Sequence, residues 1–302
     1  MSTGPTMLSA HETPPDSHPF RPVWRTASIE SILLVALTGA IVLLVQFLHP
    51  TISETQRRLF GFTFALLPFG LWLLISYRGE RSVRAPRTGL LTVVILGALV
   101  ANAIVVPLTE RVLNVDQWLT NASGISRIIG YTLAVGIPQE FLKYAVVRYS
   151  VWPGIYRERI DGIAYAMAAA VGYATAMNLN AALGVSLDPS ALALRVTETT
   201  LVQVAIGTIM GYMLASFTLS ESVSVFGLPA GLLLSALLMG LAVTVRGGLV
   251  VGGVSPTSNA NSAVQGLGVA VALVLILFVS LNFLINNADE RAALRNRSET
   301  LR

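Results

Sequence analysis

The sequence predicts an all-α fold: a polytopic transmembrane helical bundle of about eight spans, with both termini on the cytoplasmic side. Three observations predict it. Apolar residues make up 54% of the 302-residue chain, charged residues only 12%, and the mean hydropathy is +0.68. Apolar stretches of about 20 residues, the length that crosses a bilayer core, recur along the chain. Arginines gather in alternate connections between those stretches. A water-soluble chain of this composition would expose large apolar patches, so lipid is its natural solvent.

Taken in order, residues 1–28 are polar, rich in Pro, Ser, Thr and His, and show no apolar period, which predicts a disordered cytoplasmic tail. The first apolar run begins at Ile29 and has no small-x-small cleavage site, so it reads as a span rather than a secretory leader. Spans are predicted at 29–48, 59–77, 88–108, 124–150, 161–185, 197–218, 224–245 and 262–285, giving a transmembrane domain over 29–285. The fifth is Ala-rich, with Gly162, Ala166, Ala169, Ala170, Gly172 and Ala176, which suits a helix packed in the middle of a bundle. With the N-terminus inside, thirteen arginines fall on inner segments and six on outer ones, as the positive-inside rule requires. Residues 111–123 are expected along the outer interface with Trp118 as anchor. Residues 246–261 read as a flexible Gly- and Ser-rich loop, and 286–302 as a charged cytoplasmic helix or coil. No internal repeat is visible.

Composition also excludes chemistry. The chain has no cysteine, so disulfides, thiolate metal sites and a cysteine nucleophile are out. Its three histidines, His11, His18 and His49, lie before or at the end of the first span. No later helix offers an imidazole base or ligand, and neither cofactor nor metal is expected. The basic balance reads as membrane orientation, so the bilayer is an expected partner and nucleic acid is not.

The fourth span carries Gly136-Ile137-Pro138-Gln139-Glu140-Phe141-Leu142-Lys143-Tyr144. Residues three or four apart share a helix face, so Glu140 meets Lys143 and Tyr144, and Gln139 reaches Lys143. Glu140 and Lys143 are read as the only charges set deep in the spans. Pro138 removes a backbone donor and predicts a kink just before the carboxylate. Ionised groups at that depth cost several kcal/mol each unless paired or hydrated, so function is their default reading. A structural pair pinning two helices is the bland alternative. Nineteen of the twenty basic residues are arginine, and the single lysine is Lys143, a compact ammonium suited to such a site. Asp161, in Arg157-Glu158-Arg159-Ile160-Asp161-Gly162, reads as a helix N-cap or a site residue. Tyr173, Thr175, Asn178 and Asn180 give the fifth span unusual polar density. Thr199, Gln203, Gly207 and Gly211 form one stripe of the sixth. Axial counting places Asn178 and Gln203 slightly outward of the midplane and Glu140 near it, on the order of 10 Å apart along the membrane normal.

Gln139-Glu140-Phe141-Leu142-Lys143 resembles the Glu-Glu-x-x-Lys motif of the PrsW family of intramembrane proteases. Glu158-Arg159-Ile160-Asp161-Gly162 resembles its Glu-x-x-Asp-Gly motif, and Gly172-Tyr173-Ala174-Thr175-Ala176-Met177-Asn178 its Gly-Phe-Ala-x-x-Glu-Asn motif. The resemblance covers roughly residues 90–245. It implies a relative of the CAAX-processing proteases in a bacterial cytoplasmic membrane, where a water held by membrane-embedded glutamate attacks a peptide bond of a membrane-anchored protein such as an anti-sigma factor. Carried onto this chain, it implies Glu140 as the base, Lys143 tuning it, and Gln139, Asp161, Asn178 and Gln203 around it. Three positions depart from the pattern. Gln139 stands for a glutamate, Met177 for a second acidic residue, and Gln203 for a histidine; in the seventh span only Ser235 and Met239 are available. Three readings therefore stay open: an active protease, a catalytically degenerate relative that binds membrane partners, and a proton-coupled carrier. The lack of repeats and of a second buried carboxylate argues against the last.

Overall fold

The structure is a computed structural model that describes residues 21–49, 52–81, 86–119, 122–151, 156–184, 188–219, 226–246 and 260–300. Among these residues there is no strand. The helical stretches are Arg21–Leu48, Glu54–Arg81, Leu90–Val112, Val115–Leu119, 124–150, Arg159–Gly184, Pro189–Leu219, Gly227–Arg246 and Ala260–Thr300. Seven helices are long and apolar enough to cross a membrane, and the chain is a multi-pass helical membrane protein. The predicted fourth span, 124–150, is helical throughout but is not one of the seven, because Arg127, Glu140, Lys143 and Arg148 interrupt its apolar run.

Packing ranks the helices. In the fifth span, Arg159–Gly184, 89% of the most apolar window is buried, and in the sixth, Pro189–Leu219, 78%. In the first, Val23–Leu48, the figure is 11%, so it faces outward. Ala has the best helix propensity, and small side chains let backbones touch, which explains why the Ala-rich helix takes the centre. A β-carbon at Gly172 would collide with the Val94 carbonyl of the third helix, and one at Gly162 with the Gly211 carbonyl of the sixth. These contacts hold the third helix, parallel to the fifth, and the sixth, antiparallel to it, at van der Waals distance. Thr38 and Thr197 share a buried hydrogen bond of 2.5 Å that ties the first helix to the sixth.

The helices run longer than the apolar stretches alone suggest. Residues 21–28, expected in the tail, already belong to the first helix: Val23 and Ala27 are buried, and Trp24 packs 4.8 Å from Phe278. The sixth helix starts at Pro189, two turns before its predicted start. The last helix continues through the charged segment to Thr300. Residues 1–20, with His11 and His18, and the glycine-rich stretch 247–259 lie outside the described residues. Trp118 is 52% exposed on the short helix Val115–Leu119 and donates to the Leu113 carbonyl at 3.0 Å.

Among the described residues four π-helical turns interrupt the spans, at Leu73–Tyr77, Ala101–Val105, Leu108–Val112 and Thr132–Gly136. Each widens the backbone ladder and re-aims the side chains that follow. At the first, Glu30 of the neighbouring helix accepts from the Ser76 N–H at 3.1 Å.

Candidate functional site

Pro138 has no N–H, so the Ala134 carbonyl loses its usual donor. The helix accommodates this with the π turn Thr132–Gly136, which runs directly into Gln139, Glu140 and Lys143. The expected kink is thus a local widening, and the three side chains that follow are all buried.

They form a polar chain across two helices. Lys143 Nζ lies 2.7 Å from Glu140 Oε1 and donates to Gln203 Oε1 at 2.6 Å. Gln203 Nε2 donates to Gln139 Oε1 at 3.0 Å, with Met239 Sδ at 4.0 Å. The Tyr173 ring covers the ammonium at 5.5 Å from its centroid. Gln203 thus takes one of the ammonium's protons, and Glu140 and the ring face balance its charge. The expectation that Gln139 bonds Lys143 directly is corrected: Gln203 stands between them, accepting from one and donating to the other.

Glu140 is fully buried, yet neither of its oxygens accepts a well-directed hydrogen bond from the described residues. The ammonium approaches outside hydrogen-bond geometry, so its contact is Coulombic. Beside the carboxylate lies a narrow crevice of about 10 Å³, lined by Glu140, Lys143 and Val147 of the fourth helix and by Gly207, Gly211 and Leu214 of the sixth. It runs from Glu140 toward the end of the bundle that carries Arg148. Its exposed walls are almost wholly apolar, and its volume is at the lower limit for a single water.

Asn178 does not join the chain through its amide donor. It donates to Thr200 Oγ1 at 3.2 Å, and Thr200 donates to the Val196 carbonyl at 2.8 Å. Thr200 lies one turn from Gln203, so Asn178 flanks the site without touching Glu140.

Asp161 belongs to a different place. It is the third residue of its helix, not the N-cap, and its Oδ2 accepts from the N–H groups of Arg157 and Glu158 at 2.8 and 2.9 Å. That is the backward-reaching half of a capping box. Its Oδ1 takes Arg87 Nε at 2.6 Å, and Arg87 also grips Glu80 through Nη1 at 2.7 Å and through its backbone N–H at 2.9 Å. Burial works against the Arg87 charge, but Asp161 and then Glu80 outweigh it and hold the guanidinium above its usual range. Glu80 lies in the last turn of the second helix and Arg87 in the connection to the third, both far from Asp161 in sequence, and nothing local announced them.

Two further carboxylates sit inside spans, correcting the reading that Glu140 and Lys143 are the only charges there. Glu198 is 4% exposed, and a β-carbon at Gly266 of the last helix would fall within 3.0 Å of its carboxylate oxygens. Glu30 lies in the first helix. Both stood at the edges of predicted spans, and the longer helices carry them inward. Among the described residues no group of three or more His, Cys, Asp or Glu is placed to hold a metal ion.

The chain was compared with known proteins. Residues 85–279, well over half of its length, match the family model described as PrsW family intramembrane metalloprotease. No curated protein and no solved structure matches it. The matched stretch takes in the polar chain, the crevice and the Asp161–Arg87 pair, and on this match the chain belongs to the PrsW family of intramembrane proteases.

Proposed function

We propose that this protein hydrolyses a peptide bond in membrane-anchored proteins, with Glu140 activating the attacking water. The observation that carries the reading is the unspent Glu140 carboxylate: fully buried, charge-balanced by Lys143, without a directed donor, and open to a crevice. A general base must be able to accept a proton, and in the Gln139–Glu140–Lys143–Gln203 chain Glu140 alone can. The carboxylate takes a proton from water as oxygen bonds to the carbonyl carbon, then returns it to the departing amine. Gln203 and Gln139 hold Lys143 in register, and Lys143 sets a compensating charge 2.7 Å from Glu140.

The family description implies a metal, and the residues here do not fit one. A catalytic zinc site takes three protein ligands, commonly imidazole with carboxylate. The polar chain supplies one carboxylate, two amides and an ammonium 2.7 Å from the only acidic oxygen pair, a charge that opposes a divalent cation. No step is therefore routed through a metal.

The substrate class that suits the site is a single-span protein of the anti-sigma-factor type, in a bacterial cytoplasmic membrane. The crevice runs toward the arginine-bearing end that the positive-inside rule places in the cytoplasm, which supports access from that side. The test uses purified protein in proteoliposomes with a single-span substrate. Glu140→Gln should abolish cleavage per folded molecule, with some loss of midpoint as Lys143 loses its counter-charge, and 1,10-phenanthroline should leave the wild-type rate intact. Cleavage by Glu140→Gln at the wild-type rate would sink the proposal.

One observation favours a second reading. Gln139, Gln203 and Lys143 satisfy one another in a closed chain, as expected of a degenerate relative that binds membrane partners. Such a protein would cut nothing yet co-purify with a membrane partner, and Gln139→Glu with Met177→Glu would restore activity. Glu30 and Glu198 remove one argument against a carrier, the absence of further buried carboxylates. No pH-driven flux in proteoliposomes would end that idea.

A further inference from the structure

Tyr173 is completely buried, and its hydroxyl has no hydrogen-bond partner among the described residues. Its ring packs on Ala101 and Val105 of the third helix's π turn and lies over Lys143. A buried hydroxyl left unpaired forfeits the hydrogen bonds it would make in water. Phenylalanine would give the same packing and the same cation–π contact without that cost. The oxygen therefore needs an explanation that the resting structure does not supply.

Position supplies it. The fifth and sixth helices run antiparallel, with Ala170 against Gly207 and Asn178 bonded to Thr200. Tyr173 falls between these pairs, level with Gln203 and hence with the Lys143–Glu140 contact. Glu140 is within electrostatic range of the phenol. Elsewhere the chain is short of donors: the Lys143 protons face Glu140, Gln203 and the ring, while Gln203 Nε2 serves Gln139.

We propose that the Tyr173 hydroxyl donates a hydrogen bond to the scissile carbonyl oxygen as that oxygen takes up negative charge, making Tyr173 a further catalytic residue. This rests on the hydrolytic reading of Glu140. Water oxygen bonds to the carbonyl carbon, the carbonyl π pair moves onto oxygen, and the water proton goes to Glu140. Tyr173 donates to the resulting oxyanion without giving up its proton. The C–N bond then breaks, the oxyanion pair re-forms the carbonyl, and Glu140 protonates the leaving nitrogen, giving acid and amine.

The test is Tyr173→Phe beside Glu140→Gln, with kcat, KM and the unfolding midpoint measured in the same proteoliposomes. Removing one oxyanion donor is expected to lower kcat about 10²-fold. KM should change little, and the midpoint should hold or rise as the unpaired hydroxyl disappears. Fluorotyrosine at position 173, which keeps the shape and donates more strongly, should retain or raise kcat. If Tyr173→Phe cleaves like wild type while Glu140→Gln is dead, the Tyr173 proposal falls alone. If Glu140→Gln also cleaves like wild type, or wild type cleaves nothing, the hydrolytic reading falls and takes this one with it. A lower midpoint with unchanged kcat per folded molecule would mark the tyrosine as structural and overturn the proposal.

Discussion

Two buried regions of this bundle pair a carboxylate with a cation at nearly the same distance, and they differ in what the carboxylate has left to give. At Glu140 the ammonium stands 2.7 Å away and neither oxygen accepts a directed hydrogen bond. At Asp161 the guanidinium stands 2.6 Å away, and two backbone N–H groups occupy the other oxygen. Asp161 is spent on holding the connection before the fifth helix to the one between the second and third. Glu140 is charge-balanced but unspent, and a crevice adjoins it. Burial of charge alone therefore does not mark a reactive group; unused acceptor capacity beside space for a reactant does.

The contrast can be broken from the Asp161 side first. Arg87→Ala leaves Asp161 and Glu80 buried without their cation, and removing one partner of a buried pair costs about 3–5 kcal/mol. A large fall in the unfolding midpoint in detergent is expected, with cleavage per folded molecule largely retained. Arg87→Lys should recover only part of the loss, because an ammonium cannot copy the fork that reaches Asp161 and Glu80 together. An unchanged midpoint in Arg87→Ala would show that the cluster does not hold the bundle together.

Gln203→Leu probes the seam between the two roles. It removes an acceptor from Lys143 and a donor from Gln139, leaving buried polar atoms unpaired at about 1–3 kcal/mol. Both midpoint and kcat should drop, since Lys143 loses its register against Glu140. A drop in midpoint with kcat untouched would show that the amide only packs.

The smallest expected effect concerns Tyr156, outside the spans. Burial, with Tyr165 and then Asp161 nearby, pushes its phenol above the usual range. The neutral phenol is favoured in the folded state, so its contribution is present below the ordinary value of 10.0 and is lost as pH rises past it. Tyr156→Phe also removes a buried hydroxyl without a hydrogen-bond partner. Its midpoint should match or slightly exceed wild type at neutral pH, and fall less steeply above pH 10.0. An equally steep fall would assign the alkaline loss to other groups.

Much of this was legible in the sequence, for physical reasons that also mark where legibility stops. Apolar runs located the spans because lipid requires them, and the alanines and glycines of the fifth helix announced its central place. Glu140 and Lys143 were paired by helical spacing alone. Gln203 was placed near them by axial counting, but its insertion between Lys143 and Gln139 depends on the π turn at Thr132–Gly136, which no spacing rule anticipates. Asn178 was at the right depth yet points to Thr200, because depth does not fix rotation about the helix axis. Asp161 read as a cap and proved to be one of a different kind; its arginine came from 74 residues away. Glu198 was passed over because its helix begins two turns before the apolar run does.

The most direct measurement places Glu140→Gln and Asp161→Asn side by side in one proteoliposome preparation, reading cleavage of a single-span substrate and the unfolding midpoint for each. The account predicts that Glu140→Gln loses at least about 10²-fold in rate per folded molecule, the scale of a general base. It predicts that Asp161→Asn loses midpoint while its folded fraction still cleaves. The reverse pattern, with Glu140→Gln active and unstable and Asp161→Asn stable and inactive, would contradict it.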